Sequence, residues 1–498
     1  MELTASLNQK IEETVKRAMQ TWKIPGLALV VVKDDQVILS RGFGVRKIGE
    51  TEPVDEHTLF GIGSNTKAFT ATAIGLLVQD GKIGWDDPVT NYIPSFRLQD
   101  TNASQLMTIR DLLCHRSGLG TWAGDVLLLS NYSTEEIVQR LRYIAPEFGF
   151  RSGYGYSNLM FITAGLIIST VSGMSWDEFV SKRIFEPLGF LNSVTNSRYF
   201  GMNKNTATPH EEFDGVVQGL MPREDAHVGA AGSICASVAD IAVWLRLQLN
   251  RGNLDGKQIV EEAIIAETQS PHTHIPLKAL DKRLYPSRHF SAYGLGWFLS
   301  DYCGRLVIRH TGGVDGMLSG TLLIPEEKLG IAVFTNKLPN SAHNLLPNML
   351  VDHFLGVDGK DWFQEYAELE KENAGETEKS RENRLSGRVA NAPAAFALER
   401  YAGEYESHLL GGAWVSVEAG KLKIQLQVHQ SVRGSLEHWH YDSFMCKWDD
   451  PVLGESLIPF VSDGQGCVRE LRLKIREDWV DPLEHVFIRK SDEQVTIR

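Results

Sequence analysis

Between Glu368 and Arg388 the chain carries six Glu and five Lys or Arg, and no aromatic residue. A run this charged has too little apolar surface to join a core, so it reads as a linker or a solvated helix. The chain must therefore fold as separate units on either side of it. Length agrees: 498 residues is about three times a typical ~150-residue domain. The division expected is a mixed unit over 1–365, a charged linker over 366–392 and a β unit over 393–498.

The first unit mixes α and β patterns. Leu27 to Val32 is a β-rich apolar run, and Gln36 to Leu39 follows the turn-like Asp34-Asp35, which together read as a hairpin. From Ser64 to about Asp80 the sequence is apolar on most faces, as in a helix buried all round, with Gly81 where a C-cap belongs. Further helices are expected over 134–143, 158–172, 175–185 and 237–250, and short apolar strands near 305–310, 318–324 and 329–335. Strands at both ends with helices between predict one antiparallel sheet built from both termini, beside a helical region. The fold class is α+β. In the second unit Leu422, Ile424, Leu426 and Val428 alternate with polar neighbours, as do Leu471, Leu473 and Ile475, and glycines punctuate the runs. That pattern predicts a small all-β barrel or sandwich.

The N-terminus carries charge from Glu2 onward. Leu3, Leu7, Ile11, Val15 and Met19 form a stripe at i+4 spacing, so the segment reads as an amphipathic helix of the folded unit rather than a leader. No apolar run approaches the ~18–20 residues of a membrane span. Five cysteines, odd in number and widely spread, suggest thiols buried as small hydrophobes in a reducing compartment. Cytoplasmic localisation is expected. Fifty Lys and Arg against 63 Asp and Glu give a net charge of −13, which argues against nucleic acid and anionic membrane as partners.

Three elements carry chemistry. In Ser64-Asn65-Thr66-Lys67, positions i and i+3 share one helix face, so Lys67 can reach the serine oxygen. A serine needs a base to become a nucleophile, and burial lowers a lysine pKa toward the useful range. In Tyr156-Ser157-Asn158, Tyr156 can exchange protons beside a lysine cation, and Asn158 offers an amide to a substrate carbonyl or to Lys67. The same residues also suit a turn tyrosine and a helix N-cap. In His310-Thr311-Gly312-Gly313, after the strand-like Leu306 to Arg309, glycines let a ligand backbone approach. The Gly313 amide can pair with that of Ser64 as an oxyanion hole, and His310 can add positive charge or a hydrogen bond. A glycine-rich strand end with a core histidine is the alternative reading.

With these elements in this order, the chain resembles the serine β-lactamase and penicillin-recognising superfamily. It is most similar to the branch of class C β-lactamases, D-aminopeptidases and esterases. Ser64-x-x-Lys67, Tyr156-x-Asn158 and His310-Thr311-Gly312 match its three motifs. So do flanking strings such as Leu112 to Leu119, Ile184 to Gly189 and Tyr293 to Trp297. The block from Leu398 to Asp442 resembles the lipocalin-like barrel appended to some serine peptidases of this branch. The resemblance implies a β-lactamase/transpeptidase-like domain followed by that barrel. It implies that Ser64 forms an acyl-enzyme, that Lys67 and Tyr156 share the base role, that Asn158 orients substrate, and that the Ser64 and Gly313 amides hold the oxyanion. Which of Lys67 and Tyr156 is the base stays open, because coupled groups titrate together. Two departures stand out. His310 replaces the lysine usual in true β-lactamases, which weakens a penicillinase reading. Ser152-Gly153 stands where relatives often have Pro-Gly.

His438-x-His440 and His272-x-His274 have the spacing of metal pairs but no ordered third ligand, so neither a metal nor a cofactor is expected. There is no Walker-type phosphate loop, and no Gly-x-Ser-x-Gly elbow surrounds Ser64. The expectation is a serine hydrolase, acting first on small peptides, including those with D-residues. Esters are the second choice and β-lactams a weak third. A non-enzymatic binding protein of the same fold comes last. The partner is a small molecule or short peptide, and the oligomeric state stays open.

Overall fold

Asp34 and Asp35 both take left-handed backbone angles, φ +50° and +64°. Two such residues in a row close a hairpin whose twist suits its strands. The strands are β1 (Gly26–Lys33) and β2 (Gln36–Gly44), with Lys33 opposite Gln36. The computed structural model describes residues 4–196, 203–221, 229–357, 360–475 and 481–491. Leu3 of the predicted stripe lies outside them.

The hairpin joins β3 (Thr273–His274), β4 (Ser291–Tyr293), β5 (Phe298–Tyr302), β6 (Arg305–Val314), β7 (Met317–Ile324) and β8 (Leu329–Thr335) in one antiparallel sheet. Its order is β2-β1-β8-β7-β6-β5-β4-β3, so strands from both ends of the unit pair side by side as β1 and β8. β1 is buried on both faces. Ala28, Val30 and Val32 enter one apolar cluster, while Leu27, Leu29 and Val31 enter the other. A strand covered on both sides has no polar face, hence the unbroken apolar run. Helix α1 (Ala5–Thr21) lays Leu7, Ile11, Val15 and Ala18 on the second cluster. Each such burial contributes about 1.5–3 kcal/mol for a Val- to Leu-sized side chain.

On the other face lies α2 (Thr66–Gln79), in which every residue from Thr66 to Leu77 is buried. It stops at Asp80, and Gly81 (φ +68°) supplies the left-handed residue that follows a helix end. Helix α3 (Asn158–Ser172) packs on α2. One strand departs from expectation. β6 does not end before the glycines; it runs through His310 to Val314, with Gly312 opposite Ser319 and Gly313 opposite Leu318.

The charged stretch is part of α4 (Trp362–Ser386), whose only buried side chains are Trp362 and Tyr366 at its start. Beyond it, eight strands from Gly403–Ser407 to His485–Arg489 pair in consecutive antiparallel order and close into a barrel. Leu422, Ile424, Leu426, Leu471 and Leu473 fill its interior, and the apolar cluster on the α2 side of the sheet continues into it. Cys114, Cys235 and Cys446 are buried. Cys303, however, is exposed and Cys467 partly so, which corrects the expectation of uniformly buried thiols. His438 and His440 are separated by a register shift. The first donates through Nε2 to Tyr441 O (2.8 Å), and the second accepts the Val389 amide at Nδ1 (3.1 Å).

Candidate active site

The turn that presents Ser64 is held by side chains of β7. Ser319 Oγ donates to Ile62 O (2.6 Å) and accepts from Asn65 Nδ2 (2.7 Å), while Thr321 Oγ1 donates to Asn65 Oδ1 (2.6 Å). Gly63 sits at φ +51°, and a Cβ there would lie 2.7 Å from the Gly313 nitrogen. A Cβ on Gly312 would lie 2.0 Å from the Ile62 carbonyl oxygen and 2.8 Å from the Ser64 nitrogen. Glycines on both sides therefore let the β6 backbone lie directly on the Ser64 turn. This places the Gly313 main chain beside Ser64, partly exposed at the cleft floor.

One helical turn on, Lys67 is completely buried. Its Nζ donates to Ser64 Oγ (3.0 Å), Asn158 Oδ1 (2.6 Å) and Ala231 O (2.8 Å), so all three protons have acceptors. Burial pulls its pKa from 10.5 down to about 7, against an opposing pull from the nearby Asp125 carboxyl. The ammonium also stands 4.8 Å from the centre of the Tyr156 ring. Burial pushes the pKa of the Tyr156 phenol well up, against an opposing pull from the Ser64 hydroxyl, so the neutral phenol is favoured.

Two residues outside the motif reading complete this wall. Asn158 Nδ2 donates to Asp125 Oδ2 (2.6 Å), which fixes the amide so that its oxygen faces Lys67. Asp125 is 5% exposed, and its other oxygen, Oδ1, has no partner among the described residues. Burial, reinforced by the charge of Asp481, holds its pKa well above the carboxylate range. His115 has φ +59° and accepts the Ser157 amide at Nδ1 (3.0 Å), its ring 4.3 Å from that of Tyr156. Ser157 occupies the N-cap position of α3 without a side-chain capping bond. His115 thus fixes the backbone between Tyr156 and Asn158.

His310 is buried on β6. Its Nδ1–H donates to Thr311 O (2.6 Å), and Nε2 accepts from the Tyr293 hydroxyl (2.8 Å). Burial, with Lys67 adding repulsion, takes its pKa down to about 3. The ring is therefore neutral at physiological pH, and the reading in which it adds positive charge is corrected to one of hydrogen bonding. Ser64, Lys67, Tyr156, Asn158, His310, Thr311, Gly312 and Gly313 all converge here, and all but the buried Lys67 line one cleft of about 530 Å³. Trp122, Leu128, Leu129, Tyr154 and Phe298 make its apolar wall, and Val452 reaches it from the barrel. Asp125 and His115 lacked any signal in spacing, because their partners are distant in the chain. His272 and His274 lie elsewhere, His274 on the outermost strand of the sheet and His272 just before it.

Comparison with known proteins gives a consistent picture. The Beta-lactamase family model matches residues 11–353, and the model described as Domain of unknown function (DUF3471) matches residues 387–485. The chain is similar to the unguisins hydrolase ungD of Aspergillus violaceofuscus, with 29% identity over 394 residues, 73% of this chain and 68% of that protein. Its fold is similar to that of the octameric penicillin-binding protein homologue from Pyrococcus abyssi. The TM-score is 0.61 at 22% identity, covering 97% of this chain and 99% of the other. It is also similar to the D-stereospecific amidohydrolase from Streptomyces sp., with a TM-score of 0.54 at 22% identity over 65% of this chain and 94% of that one.

Proposed function

The chain belongs to the beta-lactamase family, and on that premise we propose that this serine hydrolase cleaves amide bonds of small peptides, including peptides with D-residues, through an acyl-enzyme on Ser64. The observation that carries the reading is the 3.0 Å contact between Ser64 Oγ and a buried Lys67 whose pKa lies near 7. At neutral pH a substantial fraction of Lys67 is the free amine, able to take the serine proton, whereas the Tyr156 phenol is protonated. Ser64 Oγ attacks the carbonyl carbon and its proton passes to Lys67. The Ser64 and Gly313 amides stabilise the oxyanion. Tyr156, its ring 4.8 Å from the lysine nitrogen, hands a proton to the departing amine and is reprotonated from Lys67. Water then attacks the ester carbonyl, Lys67 takes its proton and passes it to Ser64 Oγ as the carbon–oxygen bond breaks, and the acid leaves with Ser64 and the lysine amine restored.

Hydrolysis is supported by the unguisins hydrolase among the similar proteins, and an amide substrate by the D-stereospecific amidohydrolase. Carboxylesters are the second reading, favoured by the apolar wall of Trp122, Leu128, Leu129 and Phe298. A penicillinase is disfavoured because His310, neutral, supplies no fixed cation for the antibiotic carboxylate. The test is a panel of D- and L-aminoacyl anilides, short-chain p-nitrophenyl esters and a chromogenic cephalosporin, run on wild type and Ser64→Ala. Anilides cleaved fastest, with no turnover by Ser64→Ala, is the expected result. Turnover confined to esters would move the assignment to the second reading, and equal rates in the two proteins would remove it.

A further inference from the structure

Besides Val452, the barrel meets the catalytic centre through the segment that carries Asp125. Residues 125–140 bring Asp125, Leu128 and Leu129 to the cleft and are held from the barrel side at several points. The Asn131 amide donates to Val428 O (2.8 Å), the Tyr132 hydroxyl to Leu410 O (3.0 Å), and Arg140 to the carbonyls of His408 and Leu409 (2.9 and 2.8 Å). The innermost contact is Asp481, fully buried just before the last barrel strand. Its Oδ2 accepts the Val126 amide in a long bond (3.4 Å) and lies 3.2 Å from His485 Nε2, while Oδ1 accepts the Leu483 amide (2.9 Å). Two buried acids, one from each unit, therefore meet at the Asp125-Val126 turn.

We propose that Asp481 is a positioning residue of the hydrolase. From the barrel it holds the turn that carries Asp125, which holds Asn158, which in turn holds Lys67, so the barrel is a working part of the catalytic centre. The inference rests on the reading of Ser64 and Lys67 above. Burial raises the Asp125 pKa and the charge of Asp481 raises it further, which weakens the pull of Asp125 on the Lys67 ammonium. Among the described residues, the groups facing this chain are few. Asp125 faces Asp481, Lys67 and Asn158. Lys67 faces Asp125, His115, His310 and Tyr156, and Asp481 faces His485. Without the Asp481 charge, Asp125 ionises more readily and Lys67 keeps its proton to higher pH.

The test uses full-length protein and the rate at which a fluorophosphonate labels Ser64, followed against pH in wild type, Asp481→Asn and Asp481→Glu. In Asp481→Asn the rise of the rate should move to higher pH by about half a unit or more, a roughly threefold loss below its midpoint with the alkaline plateau kept. Asp481→Glu should keep the wild-type midpoint. An unchanged midpoint in Asp481→Asn, or the same fractional loss at every pH, would overturn the proposal. Should Asp481→Asn fail to fold, Asp481→Ser carries the same expectation. If no neutral residue folds there while Asp481→Glu does, the role is only structural and the proposal falls. Labelling of wild type that shows no rise with pH at all would instead remove the underlying reading of Lys67.

Discussion

Lys67 is an ammonium donor to three oxygens in a pocket that strips it of water, and these two facts pull its pKa in opposite directions. Burial wins, leaving it near 7. Hydrolysis should therefore rise with pH through about 7, read from the pH dependence of kcat/KM. The same group sets a sign for stability. Its pKa is lowered on folding, so between about 7 and 10.5 the unfolded chain binds more protons than the folded one. Stability relative to Lys67→Met should accordingly increase with pH across that window, measured by urea denaturation of the two proteins side by side. Tyr156→Phe should slow turnover at least ~10²-fold, the lower range for a proton-transfer group, with the melting temperature little changed; an unaltered rate would take the phenol out of the reaction. Ser64 and Lys67 were legible in sequence because helical spacing alone puts them on one face. Asp125 and His115 were not, because what makes them matter is Asn158 in one case and Ser157 in the other, each more than thirty residues away.

At the scale of elements, the site is a helix N-terminus pressed onto a strand. Asn65 does the pressing, with both ends of its amide bonded to β7. Asn65→Ala should remove two buried hydrogen bonds at a cost of about 2–4 kcal/mol and slow acylation; denaturation midpoints and fluorophosphonate labelling report the two effects separately. Gly312→Ala should be worse than an ordinary strand substitution, since its Cβ would be driven into the Ile62 carbonyl. Hairpin, buried helix and paired strands could all be read from apolar periodicity. The run of β6 through its glycines could not. Glycine usually weakens a strand, and here it is required by a turn that sequence order places almost 250 residues earlier.

For the whole molecule, the charged run lies on a helix whose start, through Tyr366 and Leu369, still meets the core, while strict alternation marked the barrel. What composition could not give is that the two units are docked. Arg140, which bonds two barrel carbonyls and lies 3.8 Å from the centre of the Tyr132 ring, sits at that junction. Because one apolar cluster spans both units, calorimetry of wild type should show a single transition. Arg140→Ala should lower it by a few degrees or split it in two, as expected for a loss of about 1–3 kcal/mol at partly exposed charged hydrogen bonds. The central claim remains that this architecture exists to activate one serine. Intact-mass analysis after incubation with a fluorophosphonate tests it most directly. One adduct per chain is predicted, mapped to Ser64 and absent from Ser64→Ala. A folded wild-type protein that takes up no adduct, or takes it up on another residue, would contradict the account.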